Sequence, residues 1–141
     1  MGFEVHILGF KDGGAEWIPI QRIRDAFGDH VADSDSPVYT WRLRYPDEPH
    51  QNGITLMRHP TDAGLFQGFT VDRPGIDPRM WDSLADILAA GPFALVFASG
   101  HPPLIGNSDV VQHLPPDMVE SLGQPRLVRS GQEILDDIRT S

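Results

Sequence analysis

Hydrophobic and polar positions alternate, then shift to a helical spacing, in an order that outlines a mixed α/β chain. Phe3, Val5 and Ile7 alternate with Glu4, His6 and Leu8, which predicts a first strand over residues 3–9. Lys11-Asp12-Gly13-Gly14 then reads as a turn. From Pro19 onward the spacing becomes helical. Ile20, Ile23 and Phe27 form one stripe, Pro19 is tolerated in a first turn, and Gly28 is a stop. Residues 29–37 read as a polar loop.

The next strand is predicted over Val38 to Tyr45. Tyr39, Trp41, Leu43 and Tyr45 share one face, with Thr40, Arg42 and Arg44 on the other. Core is the expected place for the aromatic row. An exposed binding stripe is the alternative, because Tyr and Trp anchor many interfaces. Ile54 to His59 and Leu65 to Asp72 predict two further strands joined by short turns, an antiparallel meander.

Asp77-Pro78 opens the best-marked helix, as N-cap and first helical residue. Trp81, Leu84, Ala85 and Leu88 are its apolar stripe, and Gly91-Pro92 ends it. Phe93 to Ala98 is apolar on both faces, as a strand inside a sheet would be. Residues 99–116 read as a long loop with a short turn near Asp109 to Leu114. A short helix over Asp117 to Leu122, a brief strand over Arg126 to Arg129 and a last helix opened by Ser130-Gly131-Gln132-Glu133 complete the chain. The expected order is β-α-β-β-β-α-β-α-β-α. This is an α+β, mixed α/β chain in which helices cover a sheet of about five or six strands, antiparallel in the middle and parallel near the end.

Composition narrows what such a domain can do. The 141 residues fit one domain, 1–141, and 40% hydrophobic residues suffice for a core without staples. The absence of cysteine excludes disulfides, thiolate catalysis and iron–sulfur clusters. No apolar run is long enough to span a bilayer, and the N-terminus lacks the features of a signal peptide. The expectation is therefore a soluble, cytoplasmic chain with no membrane partner. The formal charge is -9, with acids spread evenly over both halves. That balance opposes binding to nucleic acid, whose affinity comes mainly from cations on phosphates. It suits a protein partner with a basic surface.

Candidate chemistry is sparse. The 99–116 loop carries His101, Asn107, Ser108, Asp109 and His113; Ser, His and Asp are what nucleophilic catalysis needs, but Ser, Asn and Asp are also ordinary turn residues. No Gly-x-Ser-x-Gly elbow accompanies them, and no Gly-rich phosphate loop is present. The six histidines form no metal-ligand spacing, so neither a metal nor a cofactor is expected. Asp82 and Asp86 lie outside the apolar stripe of their helix and could face a partner. Arg58-His59-Pro60-Thr61 resembles the way histidine phosphatases present a nucleophilic His beside a phosphate-binding Arg, and Ser99-Gly100-His101 resembles that family's second His. The likeness would imply phosphate hydrolysis using Arg58, His59 and His101. It departs from the family in that a long stretch precedes the first motif, and the interval from His59 to His101 is short.

Three functions follow. The first is an acidic protein-binding module whose partner-facing residues are Asp82, Asp86, His101, Asn107, Asp109 and His113. Its general character is similar to that of bacterial immunity proteins, which neutralise a cognate toxin. The second is the small hydrolase. The third is an accessory subunit of a bacterial or phage assembly, which an exposed aromatic face would favour.

Overall fold

The computed structural model describes residues 4–31, 40–49, 52–62, 64–72, 74–97 and 100–140. Expectations for Val38, Tyr39, His50, Ala98 and Ser99 lie outside these. The chain forms β1 (Glu4–Lys11), β2 (Gly14–Ala15), β3 (Ile18–Pro19), α1 (Ile20–Phe27), β4 (Thr40–Leu43), β5 (Asn52–Arg58) and β6 (Leu65–Asp72). Then follow α2 (Pro78–Ala90), β7 (Phe93–Val96), β8 (Leu104–Ile105), α3 (Pro116–Leu122), β9 (Arg126–Leu127) and α4 (Gly131–Thr140). Two 3-10 turns, Gly28–His30 and Ser108–His113, join them.

The sheet order is β4-β5-β6-β1-β7-β8-β9, with β2 on β1 and β3 on β6. The first strand is therefore central. Val5 and Ile7 lie beside Val71 and Phe69 of β6, while His6 and Leu8 lie beside Val96 and Ala94 of β7. Its neighbours are antiparallel, and so are β4, β5 and β6 to one another. Among the described residues, parallel pairing is confined to β8 and β9, Leu104 opposite Arg126 and Ile105 opposite Leu127.

The larger core lies on one sheet face, where Val5, Ile7, Leu43, Ile54, Phe69, Val71 and Leu95 meet α1, α2 and α4. A smaller core lies on the other, where Phe10, Ala94 and Ile105 pack under Val110, Leu114 and the α3 residues Met118 and Val119. β7 feeds both cores, so every residue in it is apolar, and it sits inside the sheet. Trp41, Leu43 and Tyr45 are buried, whereas Arg42 and Arg44 are exposed. The described part of the aromatic row, Trp41, Leu43 and Tyr45, is core, and the alternative of an exposed stripe does not apply to it.

Local chemistry sets the helix ends. Asp77 Oδ1 accepts the Arg79 backbone N–H at 2.9 Å, and α2 closes on Gly91 at φ 59°. Ser130 Oγ accepts from Glu133 N at 3.2 Å. The return bond of this capping box slips by one residue, since Glu133 Oε2 accepts from Arg129 N at 2.7 Å.

Two expectations need correction. The sheet has more strands than five or six: β2 begins in the expected turn at Gly14, β3 ends on Pro19 where the first helix is expected to open, and β8 lies in the expected loop. The segment read as a loop also holds a strand, β8, while its expected short turn near Asp109 to Leu114 lies at Ser108–His113. Each missed strand has two residues, too few to show alternation, and forms only because a longer neighbour offers its edge. No helix among the described residues is long and apolar enough to cross a membrane.

Candidate functional site

A depression of about 330 Å³ lies between α1 and α2. The amphipathic spacing of α1 turns Ile23 inward and leaves Asp25 exposed. On α2 the same spacing buries Ile87 and exposes Asp86. Ala26 and Ala90 are small, so the two helices leave a gap, and Phe93 of β7 forms part of its lining. Two aspartates thus rim a largely apolar floor.

A second depression of about 280 Å³ adjoins it, sharing Arg22 and Ala90 and lined further by Asn107, Asp109 and His113. Arg22 separates the two. Its Nη2 donates to the Gly91 carbonyl at 2.7 Å, and its guanidinium lies 5.8 Å from the Phe93 ring centre. The far wall is the 3-10 turn, which Asn107 caps by accepting from Asp109 N at 3.0 Å. Asn107 Nδ2 also donates to the Ala89 carbonyl at 3.4 Å. His113 ties this turn to the β1–β2 hairpin. Its Nδ1 accepts from Asp12 N at 3.2 Å, and its carbonyl accepts from Gly13 N at 3.0 Å.

Four of the residues selected from the sequence, Asp86, Asn107, Asp109 and His113, therefore line two adjoining depressions. Asp82 does not join them. It lines a separate opening between α2 and α4, beside Gly131 and Arg139. His101 lies elsewhere too, with Nδ1 donating to the Pro102 carbonyl at 2.7 Å and its ring 4.2 Å from Phe97. Arg22 and Asp25 were missed, because nothing in the sequence says that α1 packs beside α2.

The Arg58, His59 and His101 constellation does not assemble. His59 follows β5, and its backbone N–H bonds to Leu65 at the end of the sheet where Phe93 pairs with Gly9. His101 follows Val96 at the opposite end. His59 is occupied locally: Nδ1 accepts from Thr61 N and Asp62 N, both at 3.1 Å, and the ring stands edge-on to Trp17. Among the described residues, no group of three or more His, Asp or Glu side chains is placed to hold a metal ion.

The strongest electrostatic perturbation is a clamp between the end of β4 and the start of α2. Arg79 Nε donates to Asp77 Oδ1 at 2.9 Å and its Nη2 to Oδ2 at 2.6 Å. The same Nη2 reaches the Pro46 carbonyl at 2.9 Å, and the guanidinium lies 5.1 Å from the Tyr45 ring centre. His30 packs against Tyr45 at 4.4 Å. The hydrogen bonds from Arg79 hold the Asp77 carboxyl below its ordinary value. Burial, then the Asp77 charge, pushes the Tyr45 phenol up. Perturbed groups often mark active sites, but ion pairs that hold structure perturb them as well. Here the pair fastens a helix N-terminus to a strand end.

Asp77 therefore contributes stability that is complete above about pH 4, its ordinary range, and is lost as pH falls through the lowered folded value. Asp77→Ala should cost about 1 kcal/mol at pH 7 through the lost cap. Urea midpoints should show the gap to wild type narrowing as pH drops from about 4 toward 2. A gap independent of pH would remove the charge from this account.

Comparison of the chain with protein-family models, curated proteins and solved structures finds no match.

Proposed function

We propose that this chain is an acidic protein-binding module of the immunity type, which neutralises a basic toxin or enzyme by covering its surface. The supporting observation is the convergence of Asp86, Asn107, Asp109 and His113, with Asp25, around the adjoining depressions. A chain of charge -9 draws a basic partner in, and the acids beside the apolar floor set the register. The α1–α2 face is the contact surface in this reading. Asp82 and His101 stand apart from it and act through the general field at most. Among the described residues, Arg58, His59 and His101 do not come together to support the hydrolase, and the buried Trp41 and Tyr45 lend no support to an assembly subunit.

Asp25→Lys combined with Asp86→Lys should slow association with a basic partner at least tenfold at low salt, because steering depends on the local field. The difference should shrink as ionic strength rises. Both side chains are exposed, so folding should be retained. An unchanged on-rate at low salt would move the contact surface away from this groove.

A further inference from the structure

Resting on that reading, we infer that the α1–α2 depression is an anchor slot for one long-stemmed cationic side chain of the partner, an arginine or a lysine. The shape of the slot, its floor and its charge all select for this. At about 330 Å³ it falls at the small end of ligand pockets, too small for a helix or a strand. Ala26, half-buried, and Ala90, exposed, offer apolar surface to an alkyl stem, and the buried Ile23, Ile87 and Phe93 close the floor beneath them.

The rim supplies negative charge from two helices. Asp86 is exposed on α2. Asp25 is exposed on α1, where Gln21 Nε2 donates to its Oδ1 at 2.7 Å and leaves Oδ2 to accept from a visitor. The C-terminus of α2 adds to this potential, since its last turn ends at the slot lining on Ala90 and carries no basic residue. Arg22 is the cation in the lining. It is turned onto the Gly91 carbonyl and the Phe93 face, so it closes one end of the slot rather than neutralising both aspartates.

Other occupants fit less well. An anion would meet Asp25 and Asp86. A purely apolar side chain would cover the floor but leave the carboxylates poorly solvated with nothing to pair with. A cation on an apolar stem satisfies both parts, as charged side chains with buried stems do at many interfaces.

The test uses the full chain and a side-chain analogue, butylguanidine, with pentylamine for the lysine-like head and butylurea as a neutral control. Amide shifts should saturate with a Kd of about 1–10 mM for either cation, as expected for fragments of this size. The shifts should be confined to the segments around Ile23 to Ala26 and Ile87 to Ala90. Asp86→Asn should weaken binding at least fivefold, and butylurea should leave these amides unmoved. Shifts that never saturate, that spread equally to distant acids such as Asp117 and Asp136, or that give an unchanged Kd in Asp86→Asn would overturn the slot. If the analogues fail while Asp25→Lys with Asp86→Lys still slows association, the binding surface stands and the anchor falls. If the analogues bind and the double variant associates normally, the depression binds cations but the partner does not use it, and the anchor falls.

Discussion

Gly68→Ala is expected to lower the unfolding free energy by at least about 3 kcal/mol, the upper end for an overpacked site. Gly68 sits in β6 opposite Leu8 of the central strand. A Cβ built there would lie 2.0 Å from the Ile7 carbonyl oxygen and 3.0 Å from both the Ile7 carbonyl carbon and Leu8 Cα. All three are backbone atoms of β1, so no rotamer change relieves the overlap. The strand pair itself would have to part, next to a register shift where β5 meets β6. A domain of ordinary stability has about 5–15 kcal/mol in total, so the variant would approach the unfolding threshold. Urea denaturation checks the loss, and Gly53→Ala is the control. Gly53 also lies in a strand, β5, but a Cβ there would meet nothing within 4 Å. That variant should be neutral or gain up to about 1 kcal/mol from lower chain entropy in the unfolded state. Equal effects at the two glycines would contradict the close approach of β6 to β1.

Trp81→Ala should cost about 3–5 kcal/mol. Trp81 is 1% exposed and belongs to the larger core, where α2 packs on α1, α4 and β7. Its indole Nε1 also donates to the Gly75 carbonyl at 2.9 Å, while Gly75 N donates to the buried Asn52 Oδ1 at 2.7 Å. The indole therefore fills volume and holds the β6–α2 connection. Trp81→Phe separates the two roles. It keeps much of the ring volume and loses the hydrogen bond, so it should cost about 1–3 kcal/mol, less than the alanine variant. Chemical denaturation of both variants reads this directly. A Trp81→Phe loss equal to that of Trp81→Ala would assign the whole effect to the hydrogen bond and none to packing.

Much of the fold was legible because its signals are local. Asp77, Pro78 and Gly91 mark both ends of α2 through their own capping chemistry, and the structure places the helix between them. Leu65 to Asp72 was read with its observed limits, and the last helix starts directly after the Ser130 cap. β2, β3 and β8 were not legible. Gly14-Ala15, Ile18-Pro19 and Leu104-Ile105 have no strand pattern of their own; β2 and β3 pair with the ends of β1 and β6 that run past the β1–β6 ladder, and β8 with the side of β7 away from β1.

The site was half legible for the same reason. Asp86, Asn107, Asp109 and His113 could be singled out as polar residues on a helix face or in a loop, but their proximity arises from how α1, α2 and the Ser108–His113 turn meet. Asp82, one turn from Asp86, shows the limit. The two share a wet helix face, yet one looks toward α1 and the other toward α4. The clamp of Arg79 on Asp77 had a local trace in Arg79 following the Asp77 cap, whereas its contact with Tyr45 is a product of tertiary packing.

The most direct test of the binding account is a comparison of on-rates. The partner recovered with the tagged chain would be purified, and its association measured against wild type and against Asp25→Lys with Asp86→Lys across a range of salt concentrations. The account predicts a basic partner that binds one to one. The variant should associate at least tenfold more slowly at low salt, and the two rates should converge as salt rises. A partner without a basic surface, or equal rates at every salt concentration, would contradict it.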